Sequence, residues 1–160
     1  KDNPLLQDGF VCDLCDLWQH SAARAQLCNL DFSVSRSGSL TDLAGQALGK
    51  VMQNGLPLEE ISVAGQKMTK LSLAAILRGG SLHTRHVDFT GNDLGNLADD
   101  GELADALQDT KLQVIHAGGG PMEMALAFDM SCDGESARSP LSSVAWLANA
   151  MPSLVALDVS

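Results

Sequence analysis

An α/β chain, in which short parallel strands alternate with helices, is what the sequence predicts, and three observations predict it. Within residues 87–107, VDFTGNDLGNLADDGELADAL, apolar side chains fall two apart at Val87 and Phe89 and then recur at Leu94, Leu103 and Leu107. A period of two thus gives way to a helical one inside a single unit. Comparable units begin at residues 27, 58, 84, 112 and 154, at intervals of 31, 26, 28 and 42 residues. Finally, 45% of the residues are hydrophobic but only 4% are aromatic, which suits small repeated layers rich in Leu and Ala.

The elements follow in order. In residues 1–26, Val11, Leu14, Cys15 and Trp18 stand at i, i+3, i+4 and i+7, the spacing of one helix face, so a preceding or capping helix is expected there. The first unit has Leu27, Leu30 and Phe32 at strand spacing. Leu40, Leu43, Ala47, Leu48 and Val51 then follow at helical spacing, and Asn54-Gly55 stops the helix. In the second unit Leu58, Ile61, Val63, Gln66 and Met68 lead to Leu71, Leu73, Ile76 and Leu77, ended by Gly79-Gly80. The third, residues 84–107, puts Thr84 where the others have Leu and carries Asn92 after its strand. The fourth has Leu112, Ile115, Ala117, Gly120 and Met122, and the fifth has Leu154, Leu157 and Val159. With a period of about 28 residues, the long last interval requires an insertion of roughly fourteen. It is placed within 123–139, and Ser139-Pro140 then serves as N-cap and first helical residue for Leu141, Val144, Trp146, Leu147 and Met151. Residues 1–160 make one domain on this reading.

The order V-x-F-x-x-N-x-L, with Gly101 and L-A-D-A-L behind it and L-x-x-L-x-L at 27–32, resembles the leucine-rich repeat in its longer, ribonuclease-inhibitor-like form. The resemblance covers nearly the whole chain, with Gln66 and Gly120 standing where the family has Asn. It implies a solenoid with a parallel sheet on the concave face and helices on the convex face. Each unit has one strand and one helix that cannot bury their apolar faces alone, so the units stack.

Side chains alternate across a strand. With Leu30, Ile61, Val87 and Ile115 turned to the core, Asn29, Asp31, Glu60, Ser62, His86, Asp88, His116 and Asp158 face outward and are the candidate partner-binding residues. Ser33, Ala64, Thr90, Val114, Gly118 and Ala156 complete that face.

Other constellations are weaker. Cys12-x-x-Cys15 with His83-x-x-His86 offers zinc-binding residue types, but the two pairs lie several layers apart at ~5 Å per strand and cannot converge on one ion. Ser62, Asp88 and His116 share one column of adjacent strands, yet a catalytic serine needs an activating base and an oxyanion site, and no G-x-S-x-G elbow occurs. Gly118-Gly119-Gly120-Pro121 lacks the spacing of a phosphate-binding loop and is expected to be a turn. Asp99, Asp100, Glu102 and Asp105 open a helix, where they oppose its positive end. No catalytic residue, no metal and no cofactor is expected.

The net charge of −10 and pI ≈ 4.5 argue against a nucleic-acid partner, which needs clustered Lys and Arg, and favour a basic protein. No apolar run approaches the ~20 residues of a membrane span. Four cysteines and no N-x-S/T acceptor favour an intracellular compartment, cytoplasmic or organellar. The function expected is therefore non-enzymatic: a protein–protein interaction scaffold or structural subunit of a multi-subunit complex. The alternatives are an enzyme regulator, either an inhibitor or a GTPase activator, and the sensor fragment of a longer receptor. The chain starts at Lys1, and its last strand, with Leu154, Leu157 and Val159, has nothing after it. A terminal layer needs a polar cap, so the expectation is that the native chain continues or that a partner covers this edge, and that the isolated chain self-associates.

Overall fold

The computed structural model describes residues 6–21, 26–35, 38–95, 101–108, 110–117 and 156–158. Its elements alternate: α1 (Asp8–His20), β1 (Asn29–Asp31), α2 (Asp42–Gln53), β2 (Glu60–Ser62), α3 (Lys70–Gly80), β3 (His86–Asp88), α4 (Gly101–Gln108), β4 (Val114–His116) and β5 (Ala156–Asp158). The five strands form one parallel sheet in chain order, β1-β2-β3-β4-β5. Register is constant across it, with Leu30, Ile61, Val87, Ile115 and Leu157 side by side. The chain is therefore α/β with a parallel sheet, as its alternating periodicities require.

Helices cover one face of that sheet. The strand centres Ile61, Val87 and Ile115 are buried in one cluster with Leu48, Val51, Leu73, Ile76, Leu77, Leu103 and Leu107 from α2, α3 and α4. Neighbouring helices pack against one another, α1 on α2, α2 on α3 and α3 on α4. α1 contributes Val11 and Cys15 to the core, and Trp18 packs half-buried beside them.

The turns after the strands are held by buried amides. Asn92 donates from Nδ2 to the Val63 carbonyl at 2.8 Å and accepts the Met68 N–H on Oδ1 at 3.0 Å. Gln66 does the same one layer earlier, donating to Phe32 O and accepting Leu40 N–H. Gln66 thus does the work of Asn92 with a side chain one methylene longer. Room for it comes from Gly38, where a Cβ would collide with the Gln66 carboxamide. Thr84, the odd first residue of its unit, is buried too and satisfies its hydroxyl on Leu58 O at 2.8 Å.

A second ladder links the helix starts. Asp8, in the first turn of α1, accepts both the N–H (2.7 Å) and the hydroxyl (2.6 Å) of Thr41, the N-cap of α2. Asp42, in the first turn of α2, takes the N–H and hydroxyl of Thr69, the N-cap of α3, both at 2.8 Å, and the hydroxyl of Ser72. Burial opposes ionisation of Asp42, but the bonds from Ser72 and Thr69 outweigh it and hold the carboxyl below its ordinary value.

Two sequence expectations need correction. Leu43 and Leu71 lie on the solvent side of their helices, 64% and 52% exposed. α2 starts only at Asp42, so its buried stripe runs through Ala44, Leu48, Val51 and Met52, and Leu40 is buried from the loop before it. α3 ends at Gly80, at the expected Gly79-Gly80, with both glycines inside its last turn. Those glycines are there for space, because a Cβ at 79 would run into the Gly49 carbonyl and one at 80 into Thr84 and Met52. Asn54-Gly55 ends α2, with Gly55 at φ +99 and its N–H on Met52 O. The insertion within 123–139, the helix after Ser139-Pro140, the turn at 118–121, Asp99, Asp100, Leu154 and Val159 lie outside the described residues.

Candidate functional site

The face of the sheet turned away from the helices carries the outward residues in two rows. Constant register puts Asn29, Glu60, His86, Val114 and Ala156 in one row and Asp31, Ser62, Asp88, His116 and Asp158 in the other. The strands do this mechanically: three-residue strands with an apolar centre leave two positions each that cannot face the core. For Asp158 only the backbone position is described.

In the first row Glu60 is the hub. Its Oε2 accepts from Asn29 Nδ2 at 3.1 Å and its Oε1 lies 3.3 Å from His86 Nδ1. All three side chains are exposed, so the row is joined but solvated. In the second row two aspartates are held alike. Asp31 Oδ1 accepts the Ser33 N–H at 2.8 Å, and Asp88 Oδ1 accepts the Thr90 N–H at 3.0 Å. Between them Ser62 donates its hydroxyl to Asp88 Oδ2 at 3.3 Å. The Ser33 hydroxyl, followed by its backbone N–H, holds the Asp31 carboxyl below the ordinary carboxylate value.

The two rows line an open groove of ≈ 440 Å³ that runs over β1 to β4, bounded by Asn29, Asp31, Glu60, Ser62, His86, Asp88 and His116, with Leu30, Ile61 and Val87 contributing between them. Among the described residues, no lysine or arginine lines it. The arrangement can present oriented acceptors to a partner. The Ser62 hydroxyl is turned to the Asp88 carboxylate.

The other sequence candidates stay apart. Cys15 is buried in α1 with its thiol pushed up to about 12, by burial first and then by Cys12 and Asp16, and Cys12 is raised in the same way by burial and by Asp8, Asp16 and Asp13. His83 and His86 are exposed around the start of β3. Among the described residues no group of three or more His, Cys, Asp or Glu is placed to hold a metal ion. Glu102 is exposed on α4 and pairs with Arg78 at 3.6 Å, and Asp105 is exposed beside it.

What sequence reading missed is the way the carboxylates are fixed. The signal was present as Asp31-x-Ser33 and Asp88-x-Thr90, the same spacing at the end of two strands, in which a carboxylate bonds the backbone two residues on. No helix among the described residues is long and apolar enough to cross a membrane. No protein-family model and no curated protein matches the chain.

Proposed function

We propose that the chain is a leucine-rich-repeat solenoid of the ribonuclease-inhibitor-like kind, and that its sheet face binds a basic protein as a non-enzymatic scaffold or structural subunit of a larger assembly. The observation that carries the reading is the open groove, built by side chains of four strands and, among the described residues, lined by no Lys or Arg, in a chain of net charge −10. Asp31 and Asp88 are oriented before a partner arrives, which lowers the ordering cost of binding. The repeat assignment is supported by the equivalent bonding of Gln66 and Asn92 and by the two Asp–Thr links between helix starts.

The test is capture from a native extract with the tagged chain and with its Asp31→Lys, Asp88→Lys double variant, both shown folded by circular dichroism. One stoichiometric partner that is lost from the variant is the expected result. A partner retained by the variant removes the sheet face from the reading, and a captured nuclease or GTPase whose activity changes on binding would make the chain a regulator.

A further inference from the structure

The helix side of the molecule carries a surface opposite in character to the groove. On α2 Leu43, Ala47 and Lys50 stand at i, i+4 and i+7, and on α3 Leu71, Ala75 and Arg78 repeat that order, each residue 28 places after its counterpart. Leu43, Lys50, Leu71 and Arg78 are exposed, and the alanines between them are half-buried. Two leucines thus mark one end of a face and two cations the other, with only methyl groups in between.

The two lines of side chains are drawn together. A Cβ on Gly45 would strike the Ser72 side chain, and one on Gly49 the backbone of Ala75. Helices that meet through such small residues approach to about 8 Å, so the lines run side by side over a shallow seam. Charge is segregated along it. α2 and α3 hold Lys50, Lys70 and Arg78 against one carboxylate, Asp42, and that carboxylate is taken up by Thr69 and Ser72. Arg78 is steadied by the Glu102 carbonyl at 3.1 Å and its carboxylate at 3.6 Å, and Lys50 makes no ion pair among the described residues. To either side the surface turns acidic, with Asp13 and Asp16 exposed on α1 and Glu102 and Asp105 on α4.

We infer that the α2–α3 face receives an acidic amphipathic helix of a partner protein, with apolar residues against Leu43 and Leu71 and carboxylates two turns along against Lys50 and Arg78. Burial of the leucines supplies affinity, and the cations supply selectivity and register. Width and charge decide the occupant. A helix of about 10 Å diameter fits a strip two helices wide, whereas an anionic bilayer laid there would also meet Asp13, Asp16, Glu102 and Asp105. A second copy could offer α1, but its exposed Phe10 and Leu17 have Asp13 and Asp16 between them instead of two turns beyond, and both chains carry −10. This surface does not depend on the groove, which lies on the other face of the sheet. With both in use, the chain joins a basic partner to an acidic one.

The probe is a fluorescent, hydrocarbon-stapled helical peptide of alanine background, with two leucines and, two turns along the same face, two glutamates. It is titrated into the full 160-residue chain by anisotropy. The expected result is saturable binding that weakens at least tenfold when lysines replace the peptide's glutamates, and at least tenfold in the Leu43→Gln, Leu71→Gln double variant. Both leucines are exposed, so circular dichroism should show that variant folded. Lys50→Glu should also weaken binding at least tenfold, whereas Lys111→Glu, an exposed lysine outside the face with the same change in net charge, leaves it unaltered. Absence of saturable binding overturns the inference. Equal binding of a peptide with its leucines and glutamates on opposite faces, or equal effects of the substitutions at 50 and 111, overturns it by reducing it to bulk charge. Flotation with phosphatidylserine vesicles that the double leucine variant loses gives the face to a lipid surface, and a sedimenting dimer that this variant dissociates gives it to a second copy. Either result overturns the inference as well.

Discussion

Gly38 and Gln66 fit one another, the carboxamide of Gln66 lying where a Cβ on residue 38 would stand. Gly38→Ala is therefore expected to destabilise the fold by about 1 to 3 kcal/mol through overpacking. Gln66→Asn, which shortens the arm and weakens its reach to Phe32 O and Leu40 N–H, costs about 1 kcal/mol alone. Combined, the two should cost less than their separate effects together, since the shorter amide vacates the space the new methyl needs. Urea denaturation of the two single variants and the double variant measures this, and strict additivity would refute the fit.

Asp42 gives a pH dependence. Its carboxyl is held below the usual 3.8 by Ser72 and Thr69, so the stability it contributes is present at neutral pH and is lost as pH falls below about 4 through the folded-state value. Asp42→Asn should destabilise the chain by about 1.5 to 3 kcal/mol at pH 7, the range for hydrogen bonds to a charged group. The gap between the two proteins should narrow on acidification. A gap in melting midpoint that stays constant from pH 7 to pH 3 would show that the charge of Asp42 plays no part.

Two glycines that both lie in helices should respond in opposite directions. A Cβ on Gly79 meets the Gly49 backbone carbonyl, which no side-chain rotation can relieve, and Gly79→Ala is expected to cost more than about 3 kcal/mol. Nothing lies within 4 Å of a Cβ on Gly9, a residue of α1, so Gly9→Ala should stabilise by up to about 1 kcal/mol. Thermal melts of both variants decide the matter.

On the sheet face, reversing Asp31 and Asp88 together should weaken the native partner at least tenfold, or about 1.4 kcal/mol. Calorimetric titration of the native partner into the original chain and the double variant measures this, and equal affinities would remove the two aspartates from the interface.

The strands were legible because one apolar centre between two polar neighbours has only one way to lie on a half-buried sheet, and Ile61, Val87 and Ile115 lie that way. Both outward rows follow from that alternation and from constant register. Gln66 was legible as a stand-in for Asn, but the void at Gly38 that admits it depends on a loop conformation no pattern specifies. The exposure of Leu43 was missed because helical spacing was counted from Leu40, which precedes the helix by two residues, and Leu71 holds the equivalent second position of α3. The Asp8–Thr41 and Asp42–Thr69 links went unseen because each joins residues of neighbouring layers. Their trace in the sequence is only the recurrence of an apolar residue two places before an acidic one, at Leu6-x-Asp8 and Leu40-x-Asp42.

Closeness between α2 and α3 has a consequence for the order in which the chain can acquire structure. Gly45 and Gly49 sit inside α2, where each costs about 1 kcal/mol of helix stability relative to alanine, and a twelve-residue helix is marginal in water even without them. What offsets this is contact with Ser72, Ala75 and Gly79, all on α3. Residues 42–53 are therefore expected to hold a lasting helix only once residues 70–80 have also left the ribosome, so that α2 and α3 should gain their structure together.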